Sequence, residues 1–149
     1  MQYSSVSLIG AHDSAFVGKL PTQNQDLTVP AQLDAGIRFL QAQTHNLDNT
    51  LTMCHTSCLE LNAGPLTDYL SSIKTWMDSN PDQVITLLLT NADRAPVSMF
   101  GAAMDSTGLS AYAYTPPHKL AISEWPTLQD LINANTRLVM FLGISLARV

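Results

Sequence analysis

Apolar and polar positions along the chain follow two rhythms. Short runs such as VSLIG (6–10), IRFLQAQTH (37–45) and VITLLLT (84–90) are β-branched and apolar, in the manner of strands. The last is apolar nearly throughout, as a strand buried on both faces would be. Between these runs Leu66, Tyr69, Leu70, Ile73, Trp76 and Met77 recur every three to four positions. That stripe predicts a helix over 64–81, ended by Asn80–Pro81.

The same reading places five strands at 6–10, 37–43, 50–55, 83–90 and 137–142. Further helices are expected over 28–36, 97–104 and 126–135. Thr28 is an N-cap for the first, with Pro30 in its first turn and Gly36 as its stop. Val97, Phe100 and Met104 face inward on the second, and Pro126 starts the third. The link NLDN (46–49) reads as a turn. Strands alternating with helices are the pattern of a parallel α/β fold. An open sheet and a partial barrel both satisfy it.

At 149 residues the chain is long enough for one domain, 1–149, and short for two. A net charge of −5 and only 13% charged residues leave no basic stripe for nucleic acid. They also oppose electrostatic adsorption to an anionic membrane. The longest apolar stretch, VITLLLT, is far short of the ~20 residues of a spanning helix. No signal peptide is visible: the first residues lack a basic region, and His12 and Asp13 interrupt the apolar run that follows. Cys54 and Cys58 bracket HTS; they pair with each other or with cysteines outside this chain, and two are too few for a structural zinc site.

Candidate chemistry gathers at strand ends. His12–Asp13 follow the first strand, Gln41 and Gln43 lie toward the end of the second, and His55 closes the third. Carboxyl ends of parallel strands share one face, where α/β folds bind ligands. Two imidazoles there suit general base and general acid. Ser14 after His–Asp is a weak nucleophile signal, since no G-x-S-x-G elbow accompanies it. Cys54 and His55 point to opposite faces of a strand, which argues against a cysteine nucleophile. His45 and His118 sit in loop-like contexts and are expected to be exposed and inert.

The segments IGAHDSAFVG, QLDAGIRFLQAQTH, CHTSCLELNAGPLTDYL, WMDSNPDQVITLLLTN, YAYTPPHKLA and WPTLQDLI…TRLVMFL resemble the phosphatidylinositol-specific phospholipase C family, in its fungal X-domain-like branch. The resemblance runs from about residue 3 to residue 142. It implies a TIM-type (β/α) barrel and phosphodiester cleavage by two histidines. On that mapping His12 is the general base toward an inositol hydroxyl, His55 the acid toward the leaving alkoxide, and Asp13 the supporting carboxylate. Gln41 and Gln43 become substrate-binding residues. They stand where bacterial members carry an acidic residue and an arginine, and where calcium-dependent members carry acidic metal ligands.

Glutamines are poor ligands for a hard cation, so neither metal nor other cofactor is expected. The implied partner is a phospholipid or another phosphodiester. The implied location is extracellular for a full-length relative. A complete barrel takes ~250 residues, so the chain is expected to hold the first half to two-thirds of one. The glutamines also favour a rival, a non-catalytic module for phosphoinositol or sugar headgroups; an inactive truncated product is a third possibility.

Overall fold

A computed structural model of the chain describes residues 1–143. Its six strands form one sheet: β1 (Gly10–Ala11), β2 (Phe39–Leu47), β3 (Thr50–Cys54), β4 (Asn62–Pro65), β5 (Ile85–Asn91) and β6 (Leu138–Gly143). The order is β4-β3-β2-β5-β6, with β1 also on β2. Four helices accompany it: α1 (Val29–Asp34), α2 (Leu66–Ser79), α3 (Val97–Ser106) and α4 (Leu128–Asn133).

The sheet is mixed, which corrects the all-parallel expectation. β2, β5 and β6 run parallel, but β3 returns antiparallel along β2. The reason is the length of the link. Asp48 and Asn49, at φ 48° and 61°, make a tight turn with both central residues left-handed, the geometry that two-residue hairpins favour. So short a link cannot carry a crossover to a parallel neighbour. β4 extends this hairpin by one strand, and its Asn-Ala-Gly-Pro sequence has no apolar alternation to announce it.

The stripe on α2 is buried as its spacing predicts: Leu66, Tyr69, Leu70, Ile73, Trp76 and Met77 all face inward. They pack with Leu40 and Ala42 of β2, Leu87 and Leu89 of β5, and Leu33 of α1 in one core. Each such side chain contributes about 1.5–3 kcal/mol by burial. The residues alternating with these on β2, Gln41 and Gln43, are only partly buried, so β2 places polar groups on the sheet's other face, beside Leu88 of β5 and Phe141 of β6.

Three local readings change. Of the 6–10 run only Gly10 pairs with β2, together with Ala11 just beyond it; residues 3–5 form a 3-10 turn, and Ile9 is 72% exposed. Val97 is exposed at the start of α3, although Phe100 and Met104 are buried. Arg137 does not belong to the last strand. It is buried, donates to the carbonyls of Met77 (3.2 Å) and Asn80 (2.9 Å), and lies over the Tyr112 ring at 4.4 Å. A cation there satisfies the last carbonyls of α2.

Candidate active site

Two strands share one edge of β2 and run toward each other. β1 pairs in parallel with Phe39 and Leu40, while β3 pairs antiparallel from Leu47 back to Thr44. The other edge of β2 is taken by β5 from Phe39 to Thr44. The gap between the tips of β1 and β3 is spanned by Gln41, Ala42 and Gln43. His12 and Asp13 leave β1 into that gap, and His55 leaves β3 into it from the opposite direction. Opposed strand ends, rather than a row of parallel carboxyl ends, bring the predicted residues together.

Gly10 permits the first approach. A Cβ at this position would lie 2.6 Å from Cδ1 of Phe39, inside contact distance. Beyond β1 the chain turns sharply at Asp13, whose φ is 51°, a conformation that aspartate tolerates better than most residues. Two bonds to one residue hold the turn: Gln41 Oε1 accepts from Asp13 N at 2.8 Å, and Gln41 O accepts from Ser14 N at 2.8 Å. The Ser14 hydroxyl donates to Gln41 O (3.1 Å), so the Tyr69 hydroxyl at 2.7 Å donates to Ser14. Ser14 is fully buried and its hydroxyl is spent on the fold. Burial pushes the Tyr69 phenol above its ordinary range, and the hydrogen bond to Ser14 offsets only part of this.

Asp13 is the centre of the cluster and has no exposed surface. Its Oδ2 lies 3.2 Å from His55 Nε2 and 3.4 Å from His12 Nε2. The two Nε2 atoms are therefore separated by no more than two hydrogen-bond lengths. Gln43 Nε2 donates toward Oδ1 at 3.3 Å and Oδ2 at 3.2 Å, and Asn24 Nδ2 toward Oδ2 at 3.4 Å. A buried carboxylate needs such donors, because an unpaired buried charge is strongly destabilising.

The two histidines differ. His12 is 71% exposed in its side chain, against 20% for His55. The His55 ring packs against Phe16 at 5.3 Å between centroids. Its Nδ1 is buried without a hydrogen-bond partner among the described residues. A neutral ring that keeps its proton on Nε2, toward Asp13, avoids an unpaired buried N–H.

Cys54 and Cys58 are joined in a disulfide around His55, which decides between the two pairings left open by the sequence. Thr56, inside that loop at φ 64°, donates its N–H to Gln43 Oε1 at 3.0 Å. Both ends of the Gln43 amide are engaged with the protein.

All five predicted residues, His12, Asp13, Gln41, Gln43 and His55, meet in this one cluster. His45, expected to be exposed, is instead 17% exposed, with Nδ1 at 3.1 and 3.2 Å from the Asp93 oxygens. His118 is 59% exposed and lies 3.5 Å from Glu124. Among the described residues, no group of three or more His, Cys, Asp and Glu side chains is arranged to hold a metal. A cavity of about 560 Å³ lies elsewhere, between α1 and α2, and no residue of the histidine cluster lines it.

Sequence reading missed the supports: Asn24, Gln25, which donates to His12 O at 2.6 Å, and Gln32, which donates to Ser14 O at 3.0 Å. Asn24 and Gln25 lie in the link between β1 and α1 and Gln32 within α1, and no spacing ties any of them to His12 or Asp13.

This geometry sits on the fold of a known group of enzymes. The family described as PI-PLC X 1 matches residues 1–148, and the chain belongs to that PI-PLC X domain family. It is 49% identical over 142 residues to a PI-PLC X domain-containing protein 1 of Arthroderma benhamiae, covering 94% of this chain and 47% of that one. A second protein of the same fungus, named as an uncharacterized secreted protein, is 41% identical over 143 residues, covering 94% and 32%. The chain thus spans less than half the length of these relatives.

Among solved structures, a phosphatidylinositol-specific phospholipase C from Staphylococcus aureus superimposes with a TM-score of 0.74 at 18% identity, covering 96% of this chain and 49% of that one. The phosphatidylinositol-specific phospholipase C of Listeria monocytogenes gives 0.69 at 19% identity, covering 96% and 53%. The chain therefore has a phospholipase C-like fold. No helix among the described residues is long and apolar enough to cross a membrane.

Proposed function

We propose that this chain carries the acid–base half of a phosphoric diester hydrolase of the phosphatidylinositol phospholipase C type. The observation that supports it best is the pair of imidazole Nε2 atoms on one buried oxygen of Asp13, at 3.4 and 3.2 Å. A phosphodiester laid over Asp13 meets one imidazole on each side. His12, the exposed one, takes the proton from the attacking headgroup hydroxyl, whose oxygen forms the new bond to phosphorus. The bond from phosphorus to the lipid alkoxide breaks, and His55, entering the step as an imidazolium paired with Asp13, gives that alkoxide its Nε2 proton and leaves as the neutral ring. Asp13 orients both rings and stabilises whichever is protonated. Gln41 and Gln43 form the floor of the site.

The strands and helices are the first part of a (β/α) barrel within a single domain. This reading rests on a phospholipase C-like fold that matches about half of each solved chain. The substrate is a phospholipid or a related diester, no cofactor is used, and the protein works outside the cell, as the secreted relative's name suggests. The test is release of water-soluble inositol phosphate from phosphatidylinositol micelles, with an aryl phosphodiester as a second substrate. Turnover of either supports the proposal; a well-folded protein that turns over neither overturns it.

A second reading, headgroup binding without turnover, draws on one observation. Among the described residues the donors at Asp13 are amides and imidazoles, with no guanidinium to neutralise developing charge. Saturable binding of inositol phosphate without release of product would select it.

A further inference from the structure

The loop that carries His55 is held at three places. The Cys54–Cys58 bridge joins its ends across a Cα–Cα distance of 4.8 Å. Leu61 O accepts the His55 N–H at 3.1 Å. Between these, Thr56 adopts φ 64°, a left-handed conformation that a β-branched residue keeps only when its surroundings impose it. Its N–H leaves the loop and meets Gln43 Oε1 at 3.0 Å.

The other end of the same amide lies against both oxygens of Asp13, at 3.3 and 3.2 Å. One planar group therefore spans the loop that carries His55 and the carboxylate that His55 faces. Glutamine has the chemistry this span requires, with an acceptor at one end, a donor at the other and no charge. An arginine at 43 would offer the Thr56 N–H only donors. A glutamate would set a second negative charge against Asp13.

We infer that Gln43 and the Cys54–Cys58 bridge act as one positioning unit, which sets His55 Nε2 against Asp13 and so governs proton delivery to the leaving group. The inference rests on the reading of His55 as the proton donor. The bridge fixes the backbone on either side of His55, and the amide fixes the loop's distance from Asp13. Neither touches the reacting atoms. Both restrain one loop, so once one restraint is gone, removing the other changes little. Residues that act as a unit lose activity non-additively.

The experiment compares Gln43→Met, the double variant Cys54→Ser/Cys58→Ser, and the triple variant. Methionine keeps the volume and removes both donor and acceptor. We expect each to lower kcat on a soluble aryl phosphodiester by about 10–100-fold, the scale of a misplaced catalytic group, with KM unchanged. The triple variant should be no slower than the slower parent by more than about threefold. The His55 imidazole resonances, and their cross-relaxation with the Phe16 ring, should shift alike in all three. A raised KM with unchanged kcat for Gln43→Met would make residue 43 a substrate contact and overturn the inference. So would a triple variant whose loss is the product of its parents' losses. If the cysteine variant does not fold, the kcat-against-KM result for Gln43→Met decides. If the wild type turns over no diester, the proposed function falls, and the His55 resonances still decide the inference. A common shift upholds the unit and unrelated shifts dissolve it.

Discussion

Tyr69→Phe removes one oxygen from beneath the site and nothing else. In the native fold that hydroxyl is buried and bonded at 2.7 Å to Ser14 Oγ, which spends its own proton on Gln41 O. Without it Ser14 keeps its donor bond and loses the group that filled its lone pair. A net hydrogen bond is worth ~0.5–1.5 kcal/mol, and an unsatisfied buried acceptor brings the cost to about 1–2.5 kcal/mol. For a chain of this size that lowers Tm by about 3–8 °C.

The pH dependence carries the sharper expectation. Burial raises the folded-state pKa of the phenol, whereas the unfolded chain titrates near ~10. The contribution of Tyr69 is therefore complete below that pH. Above it the unfolded state releases a proton that the folded state retains, and stability falls by ~1.4 kcal/mol per pH unit until the folded pKa is reached. The phenylalanine variant lacks this loss, so the gap between the two proteins narrows as pH rises past about 10. Urea unfolding followed by circular dichroism at pH 7, 9, 10 and 11 measures it. A gap that stays constant or widens above pH 10, or no gap at pH 7, would refute the buried Tyr69–Ser14 bond.

Two further outcomes follow from the same geometry. His12→Ala and His55→Ala should each lower kcat on an aryl phosphodiester by about 10²–10⁴-fold with the fold retained, Tm moving little for exposed His12 and falling for His55, which packs against Asp13 and Phe16, while His118→Ala serves as the exposed control; an equal loss in the control would mean that stability, not proton transfer, had been measured. Gly10→Ala should cost about 1–3 kcal/mol by thermal melting, since its Cβ falls 2.6 Å from Phe39 Cδ1 and overpacking moves that ring or the strand; a neutral substitution would show that β1 does not approach β2 so closely.

Much of this architecture is legible in the residues, and what is not has a physical reason. The stripe from Leu66 to Met77 predicts α2 because a helix on a sheet must bury one face. The five site residues are legible because ionisable and amide groups at the ends of apolar runs are costly there unless they are solvated, paired or used. The direction of β3 is not, because a strand's composition says nothing of which way it runs. That information lies in the link before it, NLDN, which is too short for a parallel crossover and which the alternation of strands and helices leaves out of account. The burial of His45 is hidden for a similar reason: its partner, Asp93, lies 48 positions away on the loop after β5. Arg137 reads as the start of a strand because the residues after it are apolar, while its own role, at the end of α2, is set by a contact 57 positions back.

The tight turn at Asp48–Asn49 also imposes an order of assembly. The hairpin it closes needs no distant part of the chain, and hairpins of this kind form in about 1–10 μs. Once β2 and β3 are zipped, Thr56 and Gln43, 13 positions apart, are already neighbours. Asp13 must then close a span of 30 positions to reach the same glutamine, and wider loops close later and at greater entropic cost. The His55 side of the site is thus a local product of the chain, formed early. The carboxylate and the exposed histidine arrive in a second stage, when β1 docks on an edge already shaped to receive it.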